Sequence, residues 1–68
     1  MSKLYKNLKF WLRVRNKTLK ILADELGVRP YKLSWWVNGH EEMPHDVLIR
    51  ISEILDVDVE KLIGEEGG

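Results

Sequence analysis

The chain has 68 residues, 44% apolar and 32% charged, and no cysteine. A chain this short hides only about 60% of the surface its unfolded form exposes, so it makes one small domain with a thin core and excludes a two-domain enzyme; without thiols it also excludes a disulfide framework and a thiolate zinc site. Eleven cations balance eleven anions, and a net charge of zero taken alone argues against a nucleic-acid ligand, whose backbone asks for a basic surface.

From Leu4 to Arg15 the apolar residues Leu4, Leu8, Trp11 and Leu12 fall on one helical stripe, with Lys6, Lys9 and Arg13 on the opposite face. That spacing predicts an amphipathic first helix with a basic back. Thr18 suits the N-cap of a short second helix that turns Leu22, Ala23 and Leu26 inward, and Gly27 stands where a left-handed residue ends it. After the turn Gly27-Val28-Arg29, Pro30 fits the first position of a third helix, where a missing N–H costs nothing. This helix runs to Val37, buries Leu33, Trp36 and Val37, and ends at Asn38-Gly39. Pro44 opens a fourth helix with the stripe Val47, Leu48, Ile51, Ile54 and Leu55, and Asp46 near its positive end suits the macrodipole. Asp58 is expected to cap a last short helix carrying Val59, Leu62 and Ile63. No segment alternates with period two, so no strand is expected. Trp11 and Trp36 are assigned to the core. The domain is set at residues 1–63, with 64–68 as a flexible tail free of apolar content.

The charges are segregated along the chain. Residues 1–32 carry nine cations against two anions, and residues 33–68 carry two cations against nine anions. The basic surplus of seven therefore lies on the segment that holds the second and third helices. The chain shows no apolar run long enough for a signal peptide or a membrane span, and a soluble cytoplasmic protein is expected.

Two short helices joined by a three-residue turn at a glycine form the helix-turn-helix pattern. Ala23, Gly27 and Leu33 carry separate constraints: a small residue where the third helix crosses, a residue free to take positive φ, and an anchor that lets the other side of the third helix project. With Leu22-Ala-Asp-Glu-Leu-Gly-Val28, Val37-Asn-Gly39, Leu48-Ile-Arg-Ile-Ser-Glu-Ile-Leu-Asp-Val57 and Asp58-Val-Glu-Lys-Leu62, residues 8–62 resemble the Cro/phage-repressor-like (XRE-type) helix-turn-helix family. The resemblance implies an all-α, five-helix, lambda-repressor-like DNA-binding domain. It also implies a sequence-specific transcriptional regulator, a repressor from a bacterium or its phage, that sets its third helix in the major groove of double-stranded DNA as a homodimer. The chain departs from the family at Leu12 and Val37, an apolar pair where an Arg and a Glu usually meet, and such a replacement of a buried ion pair leaves stability intact. It departs again at Leu19, in place of a Gln that touches phosphate, and in the opening Arg29-Pro30-Tyr31-Lys32 of the third helix.

Residue by residue, the resemblance places base contacts at Arg29, Tyr31, Lys32, Ser34 and Trp35, and backbone contacts at Lys17, Thr18, Lys20, Asn38, Gly39 and His40. Ile49, Val57, Val59 and Ile63 leave apolar surface in the C-terminal third and are the expected dimer interface. Lys6, Lys9 and Arg13 fit a solvated helix face as well as a phosphate track. Trp35 admits a second reading, in which Tyr31 and Trp35 form a hot spot for a protein partner and the domain is an antitoxin-like or adaptor module. His40 and His45 with Glu41, Glu42 and Asp46 match no zinc spacing, and no nucleophile elbow or phosphate loop occurs. No metal, cofactor or catalytic residue is expected.

Overall fold

The computed structural model describes residues 3–64 and contains five helices: α1 (Lys3–Val14), α2 (Leu19–Leu26), α3 (Pro30–Val37), α4 (His45–Leu55) and α5 (Val59–Ile63). Among the described residues there is no strand, and no helix is long and apolar enough to cross a membrane. Of the expected tail, residues 65–68 lie outside the described residues, whereas Gly64 closes α5 with φ +73°.

Each helix contributes its predicted stripe to one core. Leu8 and Leu12 come from α1, Leu22, Ala23 and Leu26 from α2, Leu33, Trp36 and Val37 from α3, Ile51 and Leu55 from α4, and Leu62 from α5. α2 packs on α3 and α4, while α5 bridges α1 and α4. Leu12 and Val37 are both buried in this cluster, so the two residues that replace an ion pair serve as packing. Leu19 is half-buried against the same cluster, which turns its side chain into core rim. Trp11 does not join the buried set. It sits half-buried at the edge of the α1 stripe, with the Phe10 ring edge-on at 5.1 Å and the Arg15 guanidinium 5.4 Å from its ring centre.

The helix ends explain how a core this thin holds together. A helix leaves four carbonyls without partners at its C-terminus, and each one buried and unmet costs free energy. At the end of α2 all four are met: Ala23 O accepts from the amides of Gly27 and Val28, and Asp24 O from Gly27. Arg50, reaching across from α4, donates to Leu26 O at 3.1 Å and Glu25 O at 3.4 Å. Gly27 at φ +79° makes the turn, and a Cβ there would meet open space, so the glycine answers to backbone conformation alone. The end of α4 is closed the same way from α1. Arg15 Nε donates to Leu55 O at 2.6 Å and its Nη2 to Asp56 O at 3.1 Å. Asn7 Nδ2 donates to Leu62 O at 2.9 Å and fastens α5 to α1.

At the N-termini the sequence signals divide. Thr18 caps α2 as expected, its Oγ1 accepting from the Ile21 amide at 3.1 Å. Asp58 holds the N-cap position of α5 with extended backbone and accepts from Lys61 N through its carbonyl, but its side chain makes no capping hydrogen bond. Pro44 precedes α4 as its N-cap rather than its first helical residue.

Two substitutions separate these contributions in urea unfolding. Gly27→Ala, which forces an L side chain into the left-handed region without a clash, is expected to cost about 1 kcal/mol. Arg15→Met, which takes the guanidinium away from the Trp11 ring and strips two carbonyls of their charged donor, is expected to cost about 2 kcal/mol. Each should lower the midpoint while leaving the slope against denaturant unchanged.

Candidate nucleic-acid interface

The face presented by α3 follows from what the helix buries. Leu33, Trp36 and Val37 turn into the core, so Tyr31 and Trp35 face outward, 71% and 47% exposed. Arg29 lies at the N-cap of this helix, exposed and with extended backbone. Ser34 is half-buried, and its carbonyl and hydroxyl accept from Asn38 Nδ2 at 2.8 and 3.1 Å. Gly39, with φ +84°, then turns the chain so that the His40 ring stacks on Trp35, centroids 4.5 Å apart and planes 27° from parallel. The structure thus brings the outward residues of α3 and the turn after it into one surface, braced by the Ser34–Asn38 bond and the Trp35–His40 stack.

The cations of this surface are in two states. Arg29 and Lys20 are exposed, and their side chains make no hydrogen bond or ion pair among the described residues. Lys32 and Lys17 are engaged. Lys32 Nζ lies 2.9 Å from Glu41 Oε1 and 5.2 Å from the centre of the Trp36 ring. Lys17 Nζ donates to both carboxylate oxygens of Glu25, at 2.8 and 2.9 Å. Thr18 is exposed beside it, with its hydroxyl committed to the α2 cap. One groove is lined by Lys9 and Arg13 of α1 together with Lys17 and Thr18, so the basic back of α1 is continuous with the amino end of α2.

The residues expected at a dimer interface are less uniform. Ile49 on α4 is 37% exposed. Val57, Val59 and Ile63 are half-buried, and Val57 packs against the core of its own domain. Phe10 and Val14 on α1 are more exposed than any of these, at 55% and 47%. Among the described residues no three histidine or acidic side chains converge where a metal ion could be held.

Sequence reasoning missed the two lysine–carboxylate pairs and the two arginine caps. The lysine pairs span eight and nine residues, Lys17–Glu25 along the length of α2 and Lys32–Glu41 from α3 past the turn after it, and the arginine contacts span up to forty-one. No helical spacing rule reaches over such separations.

A family model described as the bacteriophage CI repressor helix-turn-helix domain matches residues 9–68. No curated protein and no solved structure matches the chain.

The exposure of the aromatic face has an optical consequence. Trp35→Phe should remove most of the tryptophan emission that acrylamide quenches, whereas Trp36→Phe, at a position only 8% exposed, should leave the quenchable fraction in place. Equal loss from the two variants would contradict the placement of α3.

Proposed function

The chain belongs to the bacteriophage CI repressor helix-turn-helix family, and we propose that it is a sequence-specific repressor of the XRE/Cro type that reads an operator with α3 in the major groove. The observation that carries this reading is the outward face of α3. It presents Arg29, Tyr31 and Trp35 to solvent, has no acidic residue along the helix, and is held at a fixed angle by the saturated end of α2.

In this reading Arg29 forks onto a guanine edge, Lys32 meets guanine or phosphate, and Tyr31 and Ser34 bond to base edges. Trp35 adds apolar contact, as against a thymine methyl. Lys17, Thr18 and Lys20 at the amino end of α2, and Asn38, Gly39 and His40 after α3, lie along the phosphate backbone, where they fix register rather than sequence. A single eight-residue helix makes few base contacts, so a two-fold homodimer on paired half-sites is part of the proposal, formed through Ile49, Val57, Val59 and Ile63. The stacked Trp35–His40 pair and the exposed Tyr31 also suit a protein partner. A protein pull-down lost in Trp35→Ala, with duplex affinity unchanged, would favour that second reading.

Selection of bound sequences from a random duplex pool tests the main reading, and a palindromic consensus is the expected result. Against that consensus Arg29→Met should lose about 1–3 kcal/mol and relax preference at one base pair. Lys20→Gln should weaken binding to all duplexes alike, and the slope of log affinity against log salt should fall by about 0.9. Absence of duplex binding at low salt would overturn the proposal.

A further inference from the structure

The two lysine–carboxylate pairs are not explained by the fold. All four side chains are accessible, Lys17 and Glu25 at 26% and 40%, Lys32 and Glu41 at 38% and 52%. Ion pairs so open to water contribute little to folding stability. Neither pair closes a helix end, in contrast to Arg15 and Arg50, whose guanidinium groups meet helix carbonyls, and the one approach to the core is that of Lys32 Nζ to the Trp36 ring. Both pairs fall instead on lysines of the surface proposed for DNA, and Glu42, next to Glu41 in the chain, is exposed with no hydrogen bond or ion pair among the described residues.

A carboxylate oxygen 2.8 to 2.9 Å from an ammonium nitrogen occupies the position a phosphate oxygen takes in the same charge-assisted bond. We infer that Glu25 and Glu41 are internal stand-ins for DNA phosphate, which hold Lys17 and Lys32 neutralised in the free protein and thereby lower its sequence-independent affinity. The inference rests on the DNA reading proposed above. Non-specific binding draws almost wholly on phosphate neutralisation and the counterions it releases. A lysine that must first surrender a carboxylate gains less from a phosphate than Arg29 or Lys20 does, and the displaced carboxylate is left beside a polyanion. At the operator, base contacts add to the balance; on random duplex nothing offsets the exchange. That cost is met on any duplex, so the two glutamates reduce the phosphate-driven part of binding and leave a larger share of it to base contacts.

The test is titration of random duplex with the full chain over a range of salt, comparing wild type, Glu41→Gln, Glu25→Gln and Glu42→Gln. Glu42→Gln removes the same charge without freeing a lysine. Glu41→Gln and Glu25→Gln are expected to raise affinity about two- to fivefold over Glu42→Gln at low salt, each steepening the salt slope by about 0.9 for the phosphate its lysine gains. Lys32→Gln should weaken random-duplex binding more in the Glu41→Gln background than in wild type, and the double variant should lose the gain of Glu41→Gln. Equal affinities and slopes for Glu41→Gln and Glu42→Gln, or a Lys32→Gln effect that is the same in both backgrounds, would overturn the inference. A wild-type protein that binds no duplex would instead overturn the DNA reading beneath it. Unchanged urea midpoints for the glutamine variants are expected, and a large drop in midpoint would show that the pairs serve the fold instead.

Discussion

The arrangement of α3 depends on the carbonyl end of α2. Four peptide oxygens there have no helical partner, and the chain must satisfy them within a turn too short to bring in much else. The turn itself satisfies two through the amides of Gly27 and Val28, and Arg50 reaches from α4 to the other two. The result is a joint with no unused acceptor at its hinge. α3 leaves this joint in a direction fixed from both sides, by the left-handed Gly27 and by Leu33 seated in the core. An exposed aromatic helix can be useful for recognition only if its angle is fixed, since a base edge is read by groups held to within a fraction of an ångström.

The same demand recurs at the other helix ends and accounts for where the basic charge goes. Arg15 belongs to the basic half of the chain but is spent on the end of α4, and Arg50, one of only two cations in the acidic half, closes α2. Each guanidinium lies at the negative pole of a helix dipole, where a cation is favoured. The surplus of seven cations in residues 1–32 therefore overstates the charge free to meet an anion, because Arg15 is structural and Lys17 and Lys32 are paired. Arg29 and Lys20, whose side chains are unpaired among the described residues, stand out against that background, and Lys9 and Arg13 of α1 share a groove with Lys17 and Thr18. The zero net charge is thus no barrier to nucleic acid, because cations and carboxylates are distributed unevenly over the chain.

Much of the fold is legible in residue spacing because each helix has one buried stripe, and the periodicity that buries Leu33, Trp36 and Val37 also turns Tyr31 and Trp35 outward. Gly27 and Gly39 are readable as stops because glycine tolerates positive φ without penalty. Asn16 and Asp56 are not, although they take φ +59° and +58° and end α1 and α4 in the same manner. Asn and Asp enter left-handed conformations, turns and N-caps alike, so their presence does not select among the three. Trp11 fails for a different reason: a stripe fixes a direction only to within about a quarter-turn, and a large ring at its margin covers the core edge without being enclosed. The lysine pairs were beyond reach because Lys17–Glu25 runs from before the cap of α2 to its far end, and Lys32–Glu41 depends on how the turn after α3 folds back, neither of which the i,i+4 rule covers.

The hydrogen bond from Asn7 to the carbonyl of Leu62 spans 55 residues and joins the first helix to the last. The chain is in effect a ring: Gly64 lies so close to α1 that a Cβ on it would come within 2.8 Å of Asn7 Nδ2. A ring of this kind has no natural starting point. The domain joins in one buried cluster Leu8 and Leu12 with Leu62, from opposite ends of the described residues. Its order of helices should also survive cutting a surface loop and joining the original ends through a short linker, because the packed core registers adjacency in space and not the point at which the backbone begins.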